Sequence, residues 1–198
     1  MAFVLRVLDG LKHVFIAPDS AAILRRAGAL AGQAPRPPQA GVRWQDLLDS
    51  LGISAHLENP YRFKTKAEML TECTNMQFLR QNVATTISCS SISKARWRGL
   101  SPKHCGFCVP CLIRRTAIQV AFGDDSTDYL IGDLADRPLN AKNVEAQHVR
   151  SFQMMRRRLT QHPELARTLI YKSGPFSDYS QREINDYIEV FRRGIVEV

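Results

Sequence analysis

No apolar run in this chain approaches the roughly 20 residues that a membrane-spanning helix needs. The opening stretch MAFVLRVLDGLKHVFIAP is apolar, but Arg6, Asp9 and Lys12 interrupt it and no small-residue cleavage site follows, so it does not read as a secretory signal. These absences predict a cytoplasmic protein. The chain also lacks internal repeats, low-complexity tracts, and the G-x-x-x-x-G-K-[ST] and G-x-G-x-x-G phosphate-binding loops, which removes solenoids and the commonest nucleotide cradles. The acidic stretch GDDSTDYLIGD lacks the ligand spacing of a calcium loop and reads as a polar turn. Acids are in short supply: 19 Asp and Glu stand against 27 Lys and Arg, for a net charge of +8. That excess favours polyanionic partners, although a solvated cationic surface accounts for it equally well, and no basic block exceeds Arg156, Arg157 and Arg158. At 198 residues the chain forms one sizeable domain or two small ones and can bury a core without disulfides.

Five cysteines are present, Cys73, Cys89, Cys105, Cys108 and Cys111. An odd count in a sequence of cytosolic character argues against a disulfide framework and for a metal. Cys105-Gly106-Phe107-Cys108 is a C-x-x-C knuckle, in which a tight turn brings two thiolates to one ion at about 2.3 Å each. Gly106 gives that turn a permissive backbone, and Cys111 falls in the first turn of a helix starting near Pro110. Cys89 is the expected fourth ligand, completing a closed four-thiolate site of the structural zinc type. His104 competes for the fourth position, an iron–sulfur cluster has the same ligand set, and thiols can also be buried merely as small apolar groups. Cys73 reads as a core residue.

The rest of the chain predicts a mostly helical α+β or truncated α/β domain, with one or two short strands before Thr65. AGQAPRPPQAG, residues 31–41, is a loop or linker. Trp44, Leu47, Leu48 and Leu51 have helical spacing, with Gly52 as the stop, and ISAHLENPYRF alternates as a strand ending in a turn at Asn59-Pro60. Thr65-Lys66-Ala67-Glu68 and Ser180-Gln181-Arg182-Glu183 are capping boxes. The first opens a helix carrying Met69, Leu70 and Cys73 inward. The second opens a final helix with Ile184, Tyr187, Ile188, Phe191 and Ile195 on one face, its C-terminal dipole complemented by Arg192 and Arg193. Between them, two short helices split at His162-Pro163 bury Phe152, Met155, Leu159, Leu165 and Leu169 and leave the arginines in solvent. The expected divisions are 1–41, an unplaced segment and linker; 42–125, with the metal site; and 126–198, a helical extension.

With NPYRFKTKAEMLTEC, SCSSISKARWRGLSPKHCGFCVPCLIRR and HVRSFQ in view, the chain resembles the C-terminal part of the QueC-like, 7-cyano-7-deazaguanine synthase family. It looks closest to the QatC branch found in the Qat anti-phage defence system. The family carries a T-K-x-E segment, here Thr65, Lys66 and Glu68, then a Cys, here Cys89, then C-G-x-C-x-x-C-x-x-R, here Cys105, Gly106, Cys108, Cys111 and Arg114. The resemblance runs from about residue 42 onward, with a longer gap between Cys89 and Cys105 than in the biosynthetic enzymes. It implies the C-terminal part of an adenine-nucleotide-alpha-hydrolase-like domain, structural zinc on the four cysteines, and ATP-dependent amidation or nitrile formation on 7-carboxy-7-deazaguanine. The family's S-G-G-x-D-S loop for ATP is absent from these residues, so ATP activation is not expected of this chain alone. A partner chain or an N-terminal half carrying the nucleotide site, and other defence-system proteins, are the implied partners. Lys66 and Arg114 are candidate contacts to phosphate or a carboxylated base, or else ordinary structural cations. Two other functions compete. One is a basic zinc-knuckle module that grips nucleic acid, with Trp97 of KARWRG stacking on a base; the other is a zinc-stapled fold that serves a protein partner.

Overall fold

The structure, a computed structural model, describes residues 13–15, 46–54, 56–90, 92, 97, 99, 101, 103–135 and 143–198. The linker at 31–41, Trp44 and most of the stretch between Ser90 and Lys103 lie outside the described residues. The described part is mostly helical. Two three-residue strands, β1 (His13–Phe15) and β2 (His56–Glu58), pair in parallel with His13 opposite His56. β2 falls in the alternating stretch and gives way to a turn in which the Asn59 side chain accepts from the Tyr61 amide at 3.1 Å. β1 comes from the segment that the sequence left unplaced.

Residues 46–50 are helical, and Gly52 stops them in the left-handed conformation (φ 67°). The Gly52 amide bonds to Asp49 O and the Ile53 amide to Leu48 O, the paired bonds that satisfy a helix's last carbonyls. Helix α1 (Lys66–Thr71) is capped by Thr65 with both halves of the capping box formed. It is shorter than its apolar spacing suggests. Ala67 is its buried residue, Met69 and Leu70 are half-buried, and Cys73 lies beyond the end of the helix, half-buried rather than in the core. Helix α2 (Met76–Asn82) follows, capped by Asn75, and runs into a 3-10 turn at Val83–Thr85. Helix α3 (Val109–Phe122) starts with Cys108 at its N-cap and Pro110 in its first turn, and Gly123 ends it at φ 78°. α1 packs on α3.

Helix α4 (Val144–Gln161) is a single element of 18 residues, longer than the short helix expected there. It ends before Pro163, which cannot continue a helical ladder. Helix α5 (Leu165–Leu169) and a 3-10 turn (Ile170–Ser173) lead to helix α6 (Gln181–Glu197), whose capping box at Ser180 and Glu183 is also complete. α6 touches α3, α4 and α5. Its Ile184, Tyr187, Phe191 and Ile195 are buried and Ile188 is half-buried. The core joins them to Val109, Leu112, Phe152, Met155, Leu159 and Ile170, while Leu165 and Leu169 are only half-buried against it. Each large apolar side chain removed from water here stabilises the fold by about 1.5–3 kcal/mol.

Arg192 and Arg193 bond sideways rather than along the helix axis. α6 continues to Glu197, so neither arginine sits at its end. Arg192 pairs with Glu189 at 3.1 Å, and Arg193 reaches Glu68 of α1 at 2.6 Å and Phe63 O at 2.9 Å. Arg62 pairs with Glu183 at 2.7 Å, and the buried Thr65 hydroxyl donates to Glu197. The Thr65 box is therefore also the seat of the C-terminal helix.

Candidate metal centre

The sulfurs of Cys89, Cys105, Cys108 and Cys111 all lie within 4.8 Å of one another. The Cys89–Cys108 and Cys105–Cys111 pairs are each 3.9 Å apart. Four ligands at about 2.3 Å around a tetrahedral ion stand about 3.8 Å apart, so these separations suit one metal ion. An iron–sulfur cluster places several irons and bridging sulfides between its thiolates and needs a wider cage.

Local structure produces this convergence. Gly106 sits at φ 88°, a backbone conformation that side-chain-bearing residues rarely adopt. A Cβ there would come within 2.5 Å of Ile131 O and 2.6 Å of the Arg115 guanidinium, so the position needs glycine for space as well as for φ. The turn at Gly106 aims the Cys108 amide at Cys105 Sγ (3.3 Å), and the Cys105 amide points at Cys89 Sγ (3.4 Å). Cys108 and Cys111 occupy the start of α3, where free amides and the helix dipole favour thiolates. Cys105, Cys108 and Cys111 are buried and Cys89 is half-buried.

Buried thiols this close cannot all ionise without a cation. Hydrogen bonds from Cys105 and Cys111 hold Cys108 far below the usual thiol range. Donating to Cys108 pushes Cys105 up to about 11, and hydrogen bonding to Cys105 and Cys108 with burial pushes Cys111 higher still. Burial and mutual proximity thus oppose ionisation of these thiols together, and a divalent cation would replace their protons with ligand bonds. The surroundings fit such a centre. Arg114 is buried one turn beyond Cys111, has no carboxylate partner among the described residues, and leaves its Nε without a hydrogen bond. Four thiolates around a divalent ion form a net negative centre that offsets this buried guanidinium.

His104 is buried but stands behind the cluster. Its Nε2 lies 3.0 Å from Thr86 O and its Nδ1 3.8 Å from Cys111 Sγ, and it is not one of the mutually close ligands. Burial pushes its pKa down, so the ring is neutral and the Nε2 hydrogen faces the carbonyl. Arg114 donates to Thr86 Oγ1 (2.8 Å), Val83 O (2.5 Å) and Thr127 Oγ1 (3.4 Å), which ties α3 to the 3-10 turn. Its fork is turned into the protein. Lys66 is half-buried in the first turn of α1, apart from the mutually close sulfurs, and Trp97 is exposed.

Sequence reasoning missed what covers the knuckle. The acidic stretch is more than a polar turn: the Leu130 amide bonds to His104 O (2.8 Å) and the Ile131 amide to Cys105 O (3.3 Å), as a parallel bridge at Tyr129. Tyr129 is buried, donates to Asp125 Oδ2 (2.6 Å), and carries the Arg115 guanidinium 3.8 Å above its ring. Arg115 also donates to the Ile131 and Gly132 carbonyls. Two other acids of the stretch are paired as well, Asp124 with Arg80 and Asp128 with Lys103, and Asp133 accepts from the Ala135 amide at 2.7 Å. The alternation of Thr127, Tyr129 and Ile131 was the available signal, a strand-like period of two inside an acidic loop.

Among the described residues no helix is long and apolar enough to cross a membrane. In comparisons with known proteins, no family model, no curated protein and no solved structure matches the chain.

Proposed function

We propose that the chain is a zinc-holding module in which Cys89, Cys105, Cys108 and Cys111 bind one structural Zn2+, and that it serves as the C-terminal portion of a QueC-like, QatC-like deazapurine enzyme. The observation that carries the metal reading is the mutual approach of the four sulfurs to within 4.8 Å. Zinc suits an all-thiolate tetrahedral site because it is d10, borderline-soft and without redox demands. With four protein ligands the ion has no open position. It staples the segment before Cys105 to the start of α3 and activates no water.

The family reading rests on residue order: Thr65, Lys66 and Glu68, then Cys89, then Cys105, Gly106, Cys108, Cys111 and Arg114. On that reading the nucleotide site lies on a partner chain or an N-terminal half, and the chain contributes to ATP-dependent amidation or nitrile formation on 7-carboxy-7-deazaguanine in anti-phage defence. The Nη donors of Arg114 are engaged by the fold, which weighs against a substrate role for that residue; Lys66, half-buried in the first turn of α1 and itself engaged, is the other candidate for an anionic substrate group. Two experiments separate the levels. Elemental analysis of the reduced protein should find one zinc per chain, falling to none in Cys105→Ser; a metal-free parent protein sinks the metal reading. Incubation with ATP, 7-carboxy-7-deazaguanine, ammonia and candidate partner chains should yield the amide or nitrile; no product in any combination, with zinc bound, sinks the family reading alone.

A further inference from the structure

Two groups of cations stand out among the described residues. Arg62, Lys64, Arg80, Lys103, Arg192 and Arg193 each pair with a carboxylate. The side chains of Arg150, Arg156, Arg157 and Arg158 on α4, Arg167 on α5 and Lys172 just after it are exposed and make no ion pair or hydrogen bond among the described residues, and the same holds for that of Arg182 on α6. From Ala146 to Gly174 the sequence contains one acid, Glu164, and it lies 3.3 Å from His162. An unopposed cationic surface costs self-repulsion unless an anionic partner covers it.

We infer that the outward face of α4, with the cations of α5 and Lys172 that follow it in the chain, is a docking surface for nucleic acid. On α4, Phe152, Met155 and Leu159 point into the core, so the opposite side of the helix carries Arg150, Met154 and Arg157 at i, i+4 and i+7. Two helical turns separate Arg150 from Arg157, about 10 Å along the axis, and Arg158 flanks them. Long guanidinium side chains at that interval straddle phosphates of one strand and donate to their oxygens in pairs. Tyr171 is half-exposed beside Lys172, and its ring is braced edge-on by Phe176 at 5.5 Å, which makes a fixed platform for a base.

The same packing argues against a lipid surface. A helix that lies on a membrane needs a free apolar face, and the apolar face of α4 is already buried under α6. An acidic polypeptide would use the charge but not the ring. The inference stands independently of the metal and family readings.

Fluorescence anisotropy of the full chain with labelled single-stranded RNA and its duplex tests it. Affinity should fall at least about tenfold between about 50 mM and about 200 mM salt, because phosphate contacts release counterions. The Arg150→Gln/Arg157→Gln/Arg158→Gln variant should bind about tenfold or more weakly at the lower salt, with the slope of log affinity against log salt shallower by about 2. Tyr171→Ala should weaken single-strand binding severalfold and leave the duplex unchanged. Arg192→Gln, which removes a paired cation, should change affinity by less than about twofold. The triple variant should keep the parent melting temperature and metal content, because the three side chains are exposed and make no ion pair or side-chain hydrogen bond among the described residues; if it does not fold, Arg157→Gln alone should weaken binding about threefold with a shallower slope. Absence of binding at the lower salt, parent-like binding by the arginine variants, or displacement by polyglutamate as effective as by RNA overturns the inference.

Discussion

Around the cysteines the buried groups include sulfurs, the His104, Tyr129 and Phe107 rings, Thr127 and the Arg114 guanidinium, whereas the half formed by α4, α5 and α6 buries mostly hydrocarbon. The first region folds by satisfying polar atoms one at a time, and its four sulfurs stand where they could hold a metal ion. The second folds by removing apolar area from water, which needs no ligand. Stability in the two regions therefore answers to different variables, and the boundary runs along α3: Cys111 faces one side, and Val109, Leu112 and Ile113 face the other.

Removing the metal is the sharpest way to break the comparison. Structural zinc contributes on the order of 10 kcal/mol in isolated zinc peptides, so chelation or Cys105→Ser should abolish hydrogen-exchange protection around 104–108 and 129–131. Amides of α6 should stay protected, and Cys73→Ser should cost under about 1 kcal/mol. If α6 opens together with the cysteine lobe, or Cys73→Ser is as damaging, the two regions are not separable as described. The converse change is Phe191→Ala. It should cost about 3–5 kcal/mol in urea unfolding while the folded fraction still binds one metal ion. Gly106→Ala tests the knuckle without touching a ligand. A side chain at φ 88°, and a Cβ within 2.5 Å of Ile131 O, should lower stability by about 2–4 kcal/mol and weaken metal retention.

The smallest effect concerns the polar seam between α1 and α6 and has a sign in pH. Burial pushes the Glu68 carboxyl up, but the bond from Arg193 and the Thr65 amide outweigh it and hold the pKa low. The Ser180 backbone amide and hydroxyl, with help from Arg62, do the same for Glu183. Both carboxylates stabilise the fold above their unfolded pKa, and that contribution is lost as pH falls through the folded values. Glu197 runs the other way: burial raises it, so its contribution is present when it is protonated and is lost as pH rises. Glu197→Gln should therefore raise the melting temperature by about 1–2 °C at neutral pH, with the gain vanishing below the carboxylate pKa range near 4.5. A gain that persists at low pH would show that the carboxyl's charge is not its cause. Arg193→Ala should cost up to about 1 kcal/mol at neutral pH, since the pair is partly exposed, and less as pH drops.

Elements specified by neighbours in sequence were legible in advance. The caps at Thr65 and Ser180, the stop at Gly52, the break before Pro163 and the clustering of the cysteines each depend on residues within a few places of one another, apart from Cys89, which a count of candidate ligands supplied. Elements specified by distant neighbours were not legible. The pairing of β1 with β2 joins positions 13 and 56, the clasp joins 129 to 104, and the turning of Arg114 toward Val83 needs α3 beside the 3-10 turn. The same distinction applies to Met69, Leu70 and Cys73. Their helical spacing is real, but α1 stops at Thr71, and the chain leaves it through a tightened turn in which the Cys73 amide bonds to Leu70 O at 3.2 Å.

The sequence by itself determined which residues could ligate a metal, where the capped helices begin, and that the balance of charge is positive, because each of these follows from side-chain chemistry at short separation. Only the tertiary structure decided which cations are spent inside the fold and which are left facing outward, and that the acidic loop closes over the knuckle. An ion pair, a bridge or a buried guanidinium exists only when packing has brought remote segments within hydrogen-bond distance, and burial of the helical core is what supplies that packing.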